Sequence, residues 1–310
     1  MTAESAPFCL TFKVFHSEIS LTQFLAARLV DAHHVRLPTL FSQGFILVDG
    51  QTARSEQGVS LGQTVKVYLP GHQEAAVDTR WRRVWENEEL LALYKPHLLP
   101  VSRTTRNLYH TLISLVRRET PYTECQLLHR LDTETAGLIV LAKDKAADRK
   151  WKPLLNQLMV EKIYYAWVSG EPEWAHKEYA CELSEKKGSL IRSQVYVVEP
   201  QASALFLKPK YSKTAFSVVQ REPGRALIEC QLFTGRKHQI RAQLAHLGHP
   251  LLGDKIYAHQ GWYYLQRLER ALSEQDYQRL TSRYQRLEAV KLVLSLPERV
   301  EITTDTYRYQ

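Results

Sequence analysis

Two stretches of this chain combine residue types that can do chemistry. The first is HRLDTETAGLIVLAK, residues 129–143, in which Asp132 follows His129 and Arg130 and precedes an apolar run. A carboxylate at a strand edge beside a cation stays ionised, because the neighbouring charge depresses its pKa. An ionised carboxylate is what nucleophilic attack requires. The alternative is a salt-bridged turn residue ahead of a core strand, and for an arbitrary aspartate that alternative is favoured.

The second stretch is FTGRKHQIRAQLAHLGHPLLGDKIY, residues 233–257. Thr234-Gly235-Arg236 reads as a turn entering a helix. Ile240, Leu244 and Leu247 fall at i, i+4 and i+7 and face the core, while Gly248 and Pro250 end the helix. Arg236, Lys237, His238 and Arg241 cluster in its first turns, where backbone N–H groups and fixed charge suit a phosphate. A solvated basic face is the alternative. His238, His246 and His249 lack an acid or fourth ligand at zincin spacing, so no metal is expected. Two further segments complete the set. YKPHLLPVS, residues 94–102, is a stiff loop after a strand, where Lys95 either touches an RNA backbone or is merely exposed. EKIYYAWVSG, residues 161–170, sends Tyr164 and Tyr165 to opposite faces of a strand.

The elements that must position these residues divide in two. Leu21, Phe24, Leu25, Leu29 and Val30 are spaced for an amphipathic helix over 20–35, capped by Ser20 or Thr22. A short helix at 35–43, a strand at 46–48, an Asp49-Gly50 hairpin turn and a strand at 65–69 follow. The sequence thus predicts a small module over 1–72, a polar linker over 73–83 and a larger unit over 84–310. In the latter, strand signals recur at 90–95, 137–142, 162–168, 194–198, 214–220 and 226–233, with helical stretches at 107–118 and 144–159. This interleaving predicts an α+β fold with a mixed sheet rather than a doubly wound one. Leu265, Leu268, Leu272, Leu280 and Leu287 are spaced to line one face of a helical segment over 258–290.

The formal net charge is +8, from 41 Lys and Arg against 33 acids, which fits a polyanionic partner. Four cysteines without a CxxC pair indicate neither a zinc knuckle nor a disulfide framework. No apolar run is long enough to span a membrane, and the first ten residues do not read as a signal peptide. A cytoplasmic, monomeric protein is the expectation.

Taken in order, YKP…PV, HRLD…T…GL…LAK, KxYxAxVxG and TGRxHQIRxxLxxLGHPxxGDxxY make this chain resemble the RluA family of RNA pseudouridine synthases. Four ordered motifs across 94–257 are far more specific than one short pattern. The resemblance implies the pseudouridine synthase fold, an α+β fold with a central mixed, largely antiparallel sheet and an RNA-binding cleft. It implies isomerisation of uridine to pseudouridine in ribosomal or transfer RNA, with no cofactor and no metal. It implies Asp132 as the catalytic carboxylate, by attack on the anomeric carbon or by assisting elimination toward a glycal. It further implies Tyr164 stacked on the target base and Arg241 paired with Asp132, with Arg236 second in line for that pairing. Arg130, Lys95, Lys162, Arg236, Lys237 and His238 are the RNA-contact candidates, and His129 reads as structural.

The GFILVDG…V…LGQTVKV pattern resembles, more weakly, the small RNA-binding domain that several members carry ahead of the catalytic domain. Its usual basic face is poor here, since residues 20–34 hold only Arg28 and two histidines, so the module reads as degenerate. The chain also departs from the family pattern at Ala136, Gln243 and Glu288, and the segment 258–290 reads as an insertion. Two rival functions are a non-catalytic RNA-binding or ribosome-assembly protein, and a metal-dependent nuclease built on the histidines.

Overall fold

The structure is a computed structural model that describes residues 8–15, 19–29, 33, 36–104 and 106–304. Alternation in FCLTFK buries Leu10 and Phe12 on one face of strand Phe8–Lys13, which pairs antiparallel with Thr64–Leu69. Strands Ile46–Val48 and Gln51–Thr52 complete a four-stranded sheet. The turn between them has Asp49 and Gly50 both at positive φ, 49° and 85°, the twist a two-residue hairpin favours. Helix Leu21–Ala26 starts with a capping box between Ser20 and Gln23 and buries Leu21, Phe24 and Leu25 against this sheet. It is shorter than its periodicity suggested, and Val30 lies outside the described residues. A helix runs Leu37–Ser42 where 35–43 was expected, and Val35 also lies outside the described residues.

The stretch expected to be a polar linker is anchored to the rest of the chain. Glu74 Oε1 accepts the backbone N–H groups of Leu108 and Tyr109 at 3.0 and 2.9 Å, and Oε2 accepts that of His110 at 2.8 Å. Tyr109 in turn packs into the apolar cluster of the small sheet.

Among the described residues the large sheet has eleven strands, and its core lies on the central ones. Along its main path the order is Tyr196–Val197, His176–Ser184, Lys210–Glu222, Arg225–Leu232, Met159–Ser169, Leu287–Ser295, Ala136–Ala142, Leu90–Lys95 and Arg82–Glu86. Arg299–Thr303 and Gln126–Leu127 pair at the sides. One pairing is parallel, Ala136–Ala142 against Leu287–Ser295, and the others are antiparallel, so the sheet is mixed and largely antiparallel as expected. Leu90–Lys95 and Ala136–Ala142 are buried at every position, which explains their apolar composition up to Lys95.

Gly137 is where the parallel pair meets most closely. Its φ is +107°, and a Cβ there would lie 2.3 Å from the carbonyl oxygen of Ala289. Only glycine combines that backbone with that approach. Ala136 beside it is fully buried opposite Glu288, another position of departure from the family pattern.

Segment 258–290 corrects the expectation of one helical face. It opens on a 3-10 turn, Ala258–Gly261, continues in two short α-helices, Trp262–Glu269 and Glu274–Leu280, and Leu287 already belongs to a strand. Arg270 is extended, and Ser273 opens the second helix with a capping box to Asp276, so the leucine spacing crosses a break. Leu268 is 58% exposed.

Candidate active site

Asp132 stands in the tight loop between His129 and strand Ala136–Ala142, where Thr135 N donates to its carbonyl at 3.1 Å. His129 anchors the loop's near side, its Nε2 accepting the N–H of Val140 at 2.9 Å. Burial, and then the charge of Lys162, pushes His129 down to about 4, so it is a neutral acceptor. Lys95 anchors the far side. It is fully buried, and its Nζ donates to Pro96 O and Leu99 O at 2.9 Å and to Thr133 O at 3.1 Å. Burial pushes it down to about 7, yet three carbonyl acceptors call for the three hydrogens of the ammonium form. The expectation that Lys95 meets an RNA backbone is therefore corrected: its donors are directed inward and hold the Asp132 loop.

Arg241 arrives from a helix that begins later than expected. His238, at φ 54°, takes a left-handed backbone conformation and is the N-cap of Gln239–His246. Arg236 and Lys237 consequently lie in the preceding turn, not in the helix. Gln239 Oε1 ties that turn, accepting Thr234 Oγ1 at 2.8 Å and Arg236 N at 3.0 Å. The helix ends as the glycine signal indicated, with Gly248 N on Ala245 O at 3.1 Å and His249 N on Leu244 O at 2.8 Å. Gln243 is fully buried and fastens the helix to the sheet, accepting from Thr214 Oγ1 at 2.6 Å and donating to Ser212 Oγ at 3.2 Å.

The guanidinium of Arg241 bridges two carboxylates. Its Nη1 donates to Asp132 Oδ2 at 2.7 Å, while Nε and Nη2 donate to Asp254 Oδ2 and Oδ1 at 2.7 and 2.9 Å. The side chain of Asp132 is 30% exposed, whereas those of Arg241 and Asp254 are 6% and 0% exposed. Asp254 also accepts the N–H groups of Ile256 and Tyr257 at 2.9 and 3.1 Å. Burial opposes its charge, but the Arg241 cation and these donors outweigh it and hold the carboxyl below the usual range. Asp132 is likewise depressed: burial opposes the charged form, and His238, Arg241 and Lys95 favour it. Burial together with Arg241 pushes His238 down to about 4, so at neutral pH its ring is uncharged. The cation in contact with Asp132 at that pH is Arg241. His238 Nε2 lies 3.7 Å from Asp132 Oδ2, and its Nδ1 lies 3.1 Å from the hydroxyl of Tyr257. Both side-chain contacts of Asp132 fall on Oδ2. Among the described residues no side chain engages Oδ1.

Tyr164 sits on strand Met159–Ser169, between Cys230 and Ala289 of its neighbours. Burial, and then the charge of Asp132, raises its hydroxyl pKa well above the usual value, so it is a phenol and not a phenolate. The structure thus brings Asp132, Arg241 and His238 together, and places Tyr164, buried at the edge of the core, within reach of the Asp132 charge. Arg130 and Arg236 are exposed, with Arg236 Nε on Tyr211 O at 2.9 Å, and exposed Lys237 pairs with Glu185 at 2.7 Å. Lys162 is half-buried, and burial lowers its pKa. Sequence reasoning passed over Asp254 and Tyr257, although both stand in the quoted GDKIY segment. The available signal was a carboxylate directly after a glycine in a motif that already supplied the arginine.

Comparison with known proteins gives the family. A family model described as RNA pseudouridylate synthase matches residues 89–246. The dual-specificity RNA pseudouridine synthase RluA of Vibrio parahaemolyticus is 33% identical over 62% of this chain and 75% of its own. The ribosomal large subunit pseudouridine synthase D of Nitrosomonas europaea is 29% identical over 77% of this chain and 69% of its own. Among solved structures, human RNA pseudouridylate synthase domain containing 1 superposes with a TM-score of 0.57 at 20% identity, covering 75% of this chain and 86% of that one, a likeness of fold.

Proposed function

This chain belongs to the RNA pseudouridylate synthase family and isomerises uridine to pseudouridine in RNA, and on that premise we propose that Asp132 is the carboxylate that acts on the target ribose. The observation that carries the assignment is the division of its two oxygens. Oδ2 is held by Arg241 at 2.7 Å, which keeps the group ionised and fixes its direction. Oδ1 is left to face the substrate.

The reaction breaks the bond from uracil N1 to ribose C1′, turns the base and joins C5 to C1′. The C5 proton is lost and N1 gains one, so atoms balance without oxidant, reductant or donor. A carboxylate can serve this by attack on C1′ or by assisting elimination toward a glycal, and Oδ1 suits either. Tyr164 provides a ring on which the detached uracil stacks. Its retained hydroxyl proton suits hydrogen-bond donation to the base rather than action as a phenolate. Arg241 is the residue that sets the charge and orientation of Asp132, and Asp254 sets those of Arg241.

The target nucleotide must leave its stack to reach this site, at a cost of about a few kcal/mol that contacts to the RNA backbone must offset. Arg130, Lys162, Arg236, Lys237 and His238 are the residues we assign to that purpose. The substrate we propose is a structured RNA, ribosomal or transfer, in the cytoplasm. The relative named for the ribosomal large subunit supports a ribosomal target. We take residues 84–310 as the catalytic unit, 73–83 as the connection and 1–72 as an appended module. Within that module Arg28 is already engaged, stacked 3.8 Å over Phe24 and bonded to its carbonyl, which supports a packing role over RNA binding.

Pseudouridine mapping of total RNA, from cells with and without this protein, tests the reading. One or a few uridines should lose the modification when the protein is absent and regain it when the protein is restored. RNA bound but unchanged at every position would favour a binding protein instead.

A further inference from the structure

We propose that residues 262–285, within the segment 258–290 that reads as an insertion, brace the catalytic loop, with Glu134 as the positioning residue through which they act. The proposal rests on the assignment of Asp132 as the acting carboxylate. Glu134 lies two residues beyond Asp132, and its side-chain partners are Arg267, Lys255 and Gln285. Its Oε1 accepts Arg267 Nη1 at 3.2 Å, from the first insertion helix. Its Oε2 accepts Lys255 Nζ at 2.8 Å and the backbone N–H of Gln285 at 3.2 Å. The next loop residue is tied to the same place, with Gln285 Nε2 donating to Thr135 Oγ1 at 2.5 Å.

A second set of contacts reaches the loop's backbone. The ring of Tyr284 stacks on His97 at 3.9 Å between centroids, and His97 Nδ1 lies 2.6 Å from the carbonyl of Glu134. A carbonyl only accepts, so His97 carries its proton on Nδ1.

The insertion also grips the other carboxylate of the site. Gly253 N donates to Leu280 O at 2.9 Å, and Lys255 Nζ donates to Arg283 O at 2.8 Å. A Cβ on Gly253 would lie 2.1 Å from the carbonyl oxygen of Tyr284, so the two backbones are in direct contact. Asp254 stands between those two anchored residues. The end of the insertion therefore lies against the loop of Asp132 and the loop of Asp254 at once. Those are the two carboxylates that share Arg241. Their separation sets whether one guanidinium satisfies both, so the brace controls how firmly Arg241 holds Asp132.

The test uses full-length protein with Arg267→Gln and, separately, Tyr284→Leu. Both residues are partly exposed, and neither has a contact with Asp132, Tyr164, Arg241 or Asp254 among those described. Total RNA labelled with [5-3H]uridine, from cells lacking the protein, is the substrate, and tritium release reports loss of the C5 hydrogen. Each variant should lower kcat about ten- to a hundredfold with KM and thermal midpoint nearly unchanged, the scale of a slightly misplaced reacting group. The acid limb of the pH–rate profile should move to higher pH, because Asp132 loses part of its contact with Arg241. Arg267→Lys should recover part of the rate. The combined variant should lose less than the product of the two, since both act through one loop. Unchanged kcat and acid limb in both variants, with Asp132→Asn inactive, would overturn the brace alone. Turnover by Asp132→Asn would instead remove the assignment beneath it.

Discussion

Replacing Arg241 with methionine removes one cation from between two carboxylates, and the cost falls unequally on them. The Asp132 side chain is 30% exposed and can recover water, whereas Asp254 is at 0% and cannot. Leaving a buried charge without its partner costs about 3–5 kcal/mol. Protonation sets a ceiling on that cost. Neutralising an aspartate of unfolded pKa about 3.9 at pH 7 costs about 4 kcal/mol, and at pH 5 about 1.5 kcal/mol. In Arg241→Met the folded pKa of Asp254 lies above its unfolded value. Its penalty is therefore small below the unfolded pKa and grows as pH rises toward the folded one. The wild-type pair has the opposite sign. There both carboxyls are depressed, and the stability they contribute, present above the unfolded pKa, is lost as pH falls through the folded values. Urea unfolding followed by circular dichroism should thus show a deficit of about 3–4 kcal/mol at pH 7 that narrows to about 1.5 kcal/mol or less at pH 5. Adding Asp254→Asn should restore most of the deficit at pH 7 and abolish its pH dependence, while activity stays lost. A deficit equal at both pH values, or no recovery in the double variant, would refute the unequal division of charge.

Other predictions read other parts of the site. With His238 pushed down to about 4, the pH–rate profile should show no limb near 6.5, and His238→Gln should leave the neutral range flat. Because Lys95 is turned inward and Arg236 outward, Arg236→Ala should reduce the salt dependence of RNA binding by about one charge, whereas Lys95→Met should lower kcat without changing that slope. Gly137→Ala should fail to give a cooperatively folded protein, since its Cβ would meet the Ala289 backbone at 2.3 Å, and thermal unfolding would show this directly.

What the sequence made legible follows from how local each signal was. The fully buried strands at 90–95 and 136–142 declare themselves as apolar runs, and the Gly248 helix end as a single residue type. Strand His176–Ser184 was missed because it alternates exposed and half-buried residues and carries no apolar run. Arg82–Glu86 was missed because it is a polar edge strand at the end of a polar stretch. The contact of Asp132 with Arg241 spans 109 positions, and only the resemblance of the ordered motifs related them. Lys95 shows the limit of residue type as a guide. A lysine after a strand reads as a surface cation, and nothing local shows that three carbonyls converge on it. The same holds for the brace, since its residues Arg267, Tyr284 and Gln285 gain meaning only where the insertion meets Glu134 and His97.

If Asp132 performs the chemistry and the rest of the cluster holds it, removing its charge alone stops turnover. The most direct measurement is tritium release from [5-3H]uridine-labelled RNA by Asp132→Asn, alongside its circular dichroism spectrum and its RNA affinity. Asparagine keeps the shape and an acceptor for Arg241 but removes the charge. The expected result is a folded protein that binds RNA as the wild type does and releases no tritium above background. Release at the wild-type rate would contradict it.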